Sequence, residues 1–140
     1  MRAATFRPLD RALLALSVLA FALTAYASLR SAVPDLLHVP DQDKIGHAVA
    51  YFAVFLPLLF ALVWRPGRGD GVLANRQLLL AVALVSVGVL MEVLQALFAP
   101  TRSPELLDVV ADAVGVGCAL LVFGLARRTW PSPSRTSPPD

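Results

Sequence analysis

Hydrophobic residues are concentrated in four long runs that are separated by short polar segments. The runs cover residues 12–29, 45–64, 77–98 and 106–126. Because a helix needs about 20 consecutive, mostly apolar residues to cross a bilayer, each run has the length of one membrane span. The pattern therefore predicts an all-α polytopic membrane protein, built as a bundle of four transmembrane helices.

The composition agrees with a membrane protein. Of the residues, 57% are hydrophobic and 16% are charged, whereas a soluble domain usually has about 25% charged residues. The four runs predict one domain over residues 1–128. Residues 129–140 are rich in proline and serine, which predicts a disordered cytoplasmic tail. We expect the lipid bilayer to be the main partner.

Charge and motifs exclude some function classes. The formal net charge is +2 and no block of like charge is present, so a nucleic-acid partner is not predicted. The sequence contains no glycine-rich phosphate loop, so a nucleotide site is not predicted. The cofactor is left unknown, and the single cysteine, Cys118, carries no information on redox compartment.

The first run permits two interpretations. Three arginines precede it, and Ala-Tyr-Ala at 25–27 could be a cleavage site, as in a signal peptide. An uncleaved membrane helix is favoured, because the run is longer than most signal cores and nothing downstream resembles an exported soluble domain.

Basic residues predict the topology. Nine of the twelve lysines and arginines lie in the N-terminal segment, the second loop and the tail, and three lie in the first and third loops. Because basic residues favour the cytoplasmic side, both termini and the second loop are expected there. The chain is thus expected in the bacterial inner membrane, with its first and third loops facing outward.

Polar residues within the apolar runs mark a candidate site. A charge at the bilayer centre costs roughly 2.5–3.5 kcal/mol on insertion scales, so such residues usually face a protein interior or water. His47 lies in the first turn of the second helix. Glu92 and Asp112 each lie six residues, or about 9 Å, from the outer end of their helices. One outward-opening polar cluster is expected.

Helical spacing assigns the polar residues to three faces. These faces are expected to meet inside the bundle, where small residues allow close helix contact. Tyr51 and Gln95 are candidate ligand-binding groups that support their neighbours by hydrogen bonding. The faces comprise Asp43, His47 and Tyr51 on the second helix, Gly88, Glu92 and Gln95 on the third, and Asp108, Asp112, Gly115 and Ala119 on the fourth.

Three roles are open for the ionisable residues at the centre. The candidate catalytic residues are His47, Glu92, Asp108 and Asp112, with His47 oriented by a carboxylate for acid–base chemistry. Alternatively, they form a hydrogen-bonded network that only fixes helix packing. A zinc or manganese site is the least favoured role, because no compact motif such as His-x-x-x-His is present, and no metal is predicted.

Further candidate ligand-binding residues lie towards the outer surface. Lys44 and Asp43 could bind a polar or anionic ligand, or could merely snorkel and cap a helix. Arg102 could hold a phosphate or carboxylate through its planar guanidinium. Alternatively, Arg102 pairs with Glu105 or Asp108 and only fixes the third loop.

The order and spacing of these residues are similar to a known family. The motifs are Asp43, Lys44, His47 and Tyr51, then Glu92 and Gln95, then Arg102 with Asp108, Asp112 and Gly115. Over about residues 40–122 they resemble the VanZ-like family of small bacterial membrane proteins. In that family the position of Asp112 usually holds asparagine, so the additional carboxylate is expected to repel Asp108, and one of the two could hold a proton.

The resemblance implies a cell-envelope role, since the family is named for a protein linked to teicoplanin resistance. It implies no reaction, so whether the chain is an enzyme is open. The first hypothesis is a protein that binds or modifies a lipid-linked or cell-wall component. The second is a proton- or cation-coupled or lipid-translocating protein that acts as an oligomer. The third is a structural or regulatory membrane partner.

Overall fold

Four α-helices form the described part of the chain. The computed structural model describes residues 7–29, 41–64, 70–98 and 105–129, with side chains from residue 74 onward in the third range. All four helices are long and apolar enough to cross a membrane. The prediction of an all-α, four-helix membrane protein is therefore confirmed. The helices are α1 (Pro8–Ser28), α2 (Gln42–Leu62), α3 (Asp70–Phe98) and α4 (Leu106–Thr129).

Helices α1 and α3 begin at least four residues earlier than the hydrophobic pattern predicts. Helix α1 starts four residues earlier, because Pro8 suits the first helical position. Asp10 Oδ2 also accepts a hydrogen bond from the Arg7 backbone N–H at 3.1 Å there. Helix α3 includes residues 70–76, which were predicted to be loop. Polar residues can extend a helix beyond its apolar section, so the apolar pattern does not locate these ends.

The other ends differ by a few residues. Helix α2 begins three residues early, after Asp41, whose φ of 57° is left-handed; aspartate tolerates this conformation better than most residues. Asp41, and not Asp43, occupies the cap position, and its side chain makes no cap hydrogen bond. Helix α4 ends three residues late, where Arg127 and Arg128 suit the negative end of the helix dipole. Of the predicted tail, residues 130–140 lie outside the described residues.

Helix α2 is at the centre of the bundle. It packs most extensively on α4 and next on α1, whereas α3 packs mainly on α4. The starts of α2 and α4 meet where Lys44 contacts Glu105, and their ends meet where Trp64 packs on Phe123. These two helices are therefore parallel. Since the end of α3 contacts the start of α4, those two are antiparallel neighbours, as the short third loop predicts.

The apolar core fills the half of the bundle beyond the polar residues. Phe55 and Leu59 of α2 and Phe123 of α4 are fully buried there. The buried residues of helix α1 are all polar. Most of its leucines are exposed, for example Leu19 at 58% and Leu23 at 58%. In a bilayer such exposed apolar residues contact lipid, and polar ones bond within their own helix, as Thr24 does to the Ala20 carbonyl at 2.9 Å.

Helices α2 and α4 approach closely at Gly115. A Cβ atom at this position would collide with the backbone carbonyl oxygen of Ala48 and would lie 3.1 Å from its Cα. The contact lies within one helical turn of His47 and Asp112. Glycine at 115 therefore sets the distance between the two helices that carry most of the polar residues.

We expect Gly115→Ala to destabilise the bundle by about 1–3 kcal/mol, the usual cost of overpacking a tight contact. Thermal unfolding in detergent, followed by circular dichroism, measures the effect. Gly117→Ala is the matched control, because a Cβ there meets nothing within 4 Å. Equal unfolding temperatures for the two variants would contradict the assignment of Gly115 as the contact that limits helix separation.

Candidate functional site

The predicted polar faces meet at one end of the bundle. Helix α2 contributes Asp43, Lys44, His47 and Tyr51, α3 contributes Glu92 and Gln95, and α4 contributes Asp108 and Asp112. The last four are buried, with 6%, 1%, 4% and 1% of their surfaces exposed, respectively. The predicted convergence of these helices is confirmed by their contacts. Arg102, the remaining predicted residue, lies outside the described residues.

A pair formed by the partly buried His47 and the buried Asp112 lies at the centre of the cluster. His47 Nδ1 is 2.9 Å from Asp112 Oδ1. Tyr51, also buried, forms a further hydrogen bond with the Asp112 carboxylate. Two polar groups of α2 thus bind one carboxylate of α4, which fixes the orientation of the imidazole ring.

The other ring nitrogen of His47 faces Asp108, and Glu92 lies close to both residues. His47 Nε2 is 3.8 Å from Asp108 Oδ2, which is beyond hydrogen-bonding distance. One ligand-capable atom from each of His47, Glu92 and Asp108 lies within 4.8 Å of the others. An imidazole and two carboxylates therefore converge, without a direct bond between His47 and Asp108.

Lys44 is surrounded by carboxylates. Its Nζ lies 2.8 Å from Glu105, 3.1 Å from Asp43 and 3.6 Å from Asp108. Its ammonium group therefore already has three anionic neighbours. These contacts give Lys44 a charge-balancing role in addition to the two roles considered from the sequence, ligand binding and snorkelling.

Glu105 belongs to the cluster although the sequence analysis did not include it as a site residue. Besides pairing with Lys44, it donates its backbone N–H to Glu92 Oε2 at 2.9 Å. The sequence analysis considered it only as a partner of Arg102. Its position three residues before Asp108 places both on one side of α4, and that spacing could have identified it.

Three buried polar atoms in the cluster have no hydrogen-bond partner among the described residues. They are Glu92 Oε1, Gln95 Nε2 and Asp108 Oδ1. A buried polar atom left unpaired costs about 1–3 kcal/mol, and more if it is charged. Such atoms in a native protein commonly mark a functional group or a bound water or ion.

Gly88 allows α3 to lie against the histidine–carboxylate pair. A Cβ at this position would collide with Asp112 Oδ2 and would lie 3.1 Å from the Tyr51 hydroxyl. The glycine predicted on this face of α3 is thus in direct proximity to both groups. The absence of a side chain at 88 leaves room for the Tyr51–Asp112 hydrogen bond.

Comparisons with known proteins add no relative. No protein-family model, no curated protein and no solved structure matches the chain.

We expect Asp112→Leu to lower the free energy of unfolding by about 2 kcal/mol or more, because His47 and Tyr51 would each lose a buried partner. Asp112→Asn is the matched control, since its amide oxygen can still accept a hydrogen bond. Thermal unfolding in detergent measures both variants. A leucine variant as stable as the asparagine variant would show that the pair does not stabilise the bundle.

Proposed function

We propose that the chain is a VanZ-like membrane protein of the cell envelope that binds, and acts by acid–base chemistry on, a lipid-linked or cell-wall component. The observation that carries the proposal is the 2.9 Å contact between His47 Nδ1 and Asp112 at the centre of the polar cluster. The motifs of the VanZ-like resemblance coincide with this cluster, which supports the family assignment.

The chemistry follows from the orientation of His47. When Asp112 accepts a hydrogen bond from the Nδ1–H group, the neutral imidazole keeps its lone pair on Nε2, as a general base requires. Nε2 faces Asp108, so a ligand hydroxyl or amine bound between them could lose its proton to the ring. Asp112 would then stabilise the imidazolium that forms.

The charges of the cluster constrain the ligand. Because Lys44 is paired with carboxylates, the described residues offer acceptors rather than cationic donors. They suit hydroxyl and amino groups, which carbohydrates and peptides of the cell wall carry, better than a phosphate. Any anionic part of the ligand would depend on Arg102, the third-loop residue of the motif.

Expression in a teicoplanin-susceptible bacterium tests this function. We expect the wild-type chain to raise the minimum inhibitory concentration of teicoplanin several-fold, and Glu92→Gln to abolish the increase at an equal membrane level. Gln retains the size of Glu92 but removes its charge. Gly117→Ala is the control for a substitution that changes a bundle helix without touching the cluster. It should behave as wild type, because a Cβ at this position meets nothing within 4 Å. An unchanged inhibitory concentration with the wild-type chain would refute the link to glycopeptide resistance.

Sidedness is tested separately with a membrane-impermeant thiol reagent on intact cells or spheroplasts. In a Cys118→Ser background, we expect cysteines at Gln42 and Ser103 to be labelled, and cysteines at Gly69 and Ser134 to be protected. This pattern would place the cluster beneath the outer surface and both termini in the cytoplasm. The reverse pattern would overturn the proposed topology and the envelope substrate together.

A second function, proton- or cation-coupled transport by an oligomer, is favoured by one observation. Glu92 and Asp108 have buried carboxylate oxygens that find no hydrogen-bond partner among the described residues, and ionisable groups in membrane spans commonly carry protons or ions. Reconstitution in sealed vesicles discriminates between the two functions. Ion or proton flux that disappears with Glu92→Gln would favour transport, whereas its absence with active wild-type protein would favour binding or chemistry.

A further inference from the structure

The polar cluster contains more negative than positive groups. Five carboxylates belong to it, whereas Lys44 and His47 are the basic groups that the described residues place among them. Lys44 lies beside Asp43, Glu105 and Asp108, on the outer side of the cluster. Near Glu92 and the inner oxygen of Asp108, the basic group that the described residues supply is the His47 imidazole.

Two of the unpaired atoms belong to the carboxylates that lie near His47. Glu92 Oε1 and Asp108 Oδ1 accept no hydrogen bond from the described residues, and both side chains are more than nine-tenths buried. Asp108 Oδ1 has Lys44 at 3.6 Å, a distance too long for a hydrogen bond. Desolvated carboxylates normally have a paired charge or coordinate a metal.

The geometry around His47 resembles that of a metal-binding histidine. Such a histidine usually gives one ring nitrogen to a carboxylate, which orients the ring, and directs the other nitrogen to the ion. Here Asp112 takes Nδ1, and Nε2 faces Asp108 at 3.8 Å. Two ligand atoms on one tetrahedral ion, each bound at about 2.0–2.2 Å, lie roughly 3.4 Å apart, so a small contraction would be sufficient.

We propose that His47 Nε2 and the carboxylates of Glu92 and Asp108 bind one divalent transition-metal ion, of the zinc or manganese class. Imidazole with carboxylates suits these ions. Three protein ligands leave a position for water or a ligand, as in catalytic zinc sites. The inference deepens the proposed function and rests on its claim that this cluster is the functional site.

A second group of acidic residues is a poorer candidate. Asp43, Glu105 and Asp108 also have ligand-capable atoms within 4.8 Å of one another. However, Lys44 contacts all three, so its ammonium group already supplies the positive charge. The group also lacks a histidine, which makes it less suited to zinc.

The proposed site differs from the sequence prediction, which favoured no metal. That prediction depended on the absence of a compact motif on one helix. His47, Glu92 and Asp108 come from three different helices and are brought together only by the bundle. A local motif is therefore not required for these residues to share one ion.

Metal binding is tested on the full chain, purified in detergent and stripped with a chelator. Zn²⁺ and Mn²⁺ are titrated by calorimetry, and bound metal is counted by mass spectrometry, with Mg²⁺ and Ca²⁺ for comparison. We expect one Zn²⁺ or Mn²⁺ per chain, and at least tenfold weaker binding by Glu92→Gln and Asp108→Asn. Asp112→Leu should weaken binding roughly 10–100-fold, because His47 Nδ1 would lose the partner that orients the ring.

Asp10→Asn is the matched control, because Asp10 is equally buried, at 2% exposure, but lies on α1 outside the cluster. It should bind metal as the wild type does. Pulsed EPR of Mn²⁺-loaded wild type should detect coupling to one imidazole nitrogen, which requires no variant to fold. No stoichiometric Zn²⁺ or Mn²⁺, unchanged affinity in Glu92→Gln and Asp108→Asn, or no nitrogen coupling would overturn the inference.

The metal inference and the proposed function can fail independently. Teicoplanin protection by a chain that binds no metal would refute the metal site alone. Stoichiometric metal binding by a chain that gives no protection would refute the glycopeptide-linked function and retain the site. Loss of binding in Glu105→Gln, with Glu92→Gln unaffected, would place the ion in the second acidic group and would overturn the site as proposed.

Discussion

The energetic cost of burying carboxylates between membrane helices constrains the rest of this structure. Glu92, Asp108 and Asp112 are each at most 6% exposed, and neither lipid nor the apolar half of the bundle can solvate them. They are tolerated only where basic and hydrogen-bonding groups from other helices reach them. The relative positions of α2, α3 and α4 at this end therefore depend on those polar contacts.

Close helix contact provides the geometry that the polar groups need. Gly115 lets α4 approach the Ala48 backbone of α2, and Gly88 lets α3 approach Asp112 and Tyr51. Without these contacts, the 2.9 Å distance between His47 and Asp112 could not be maintained. The small residues and the ionisable residues are thus parts of one arrangement, because close helix contact brings the buried charges within reach of their partners.

The sequence predicted the helices and the convergence of their polar faces, because both follow from periodicity and span length. Four apolar runs gave the bundle, and spacings such as that from Asp108 to Asp112 gave the faces. Helix ends were less predictable, since Pro8 and Asp41 start helices outside the apolar runs. The partner of each polar side chain could not be predicted from the sequence either. The pairing of Lys44 with Glu105, for example, joins residues 61 positions apart.

The hydrogen bond between Asp112 and His47 determines which ring nitrogen of His47 is available for chemistry. Because Asp112 occupies Nδ1, Nε2 is the nitrogen that faces Asp108. That holds whether Nε2 accepts a proton or coordinates an ion, so the two proposals require the same ring orientation. They differ in what balances the charge of Glu92 and Asp108. Protons would leave each carboxylate singly neutralised, whereas one divalent ion would neutralise both and bind them together.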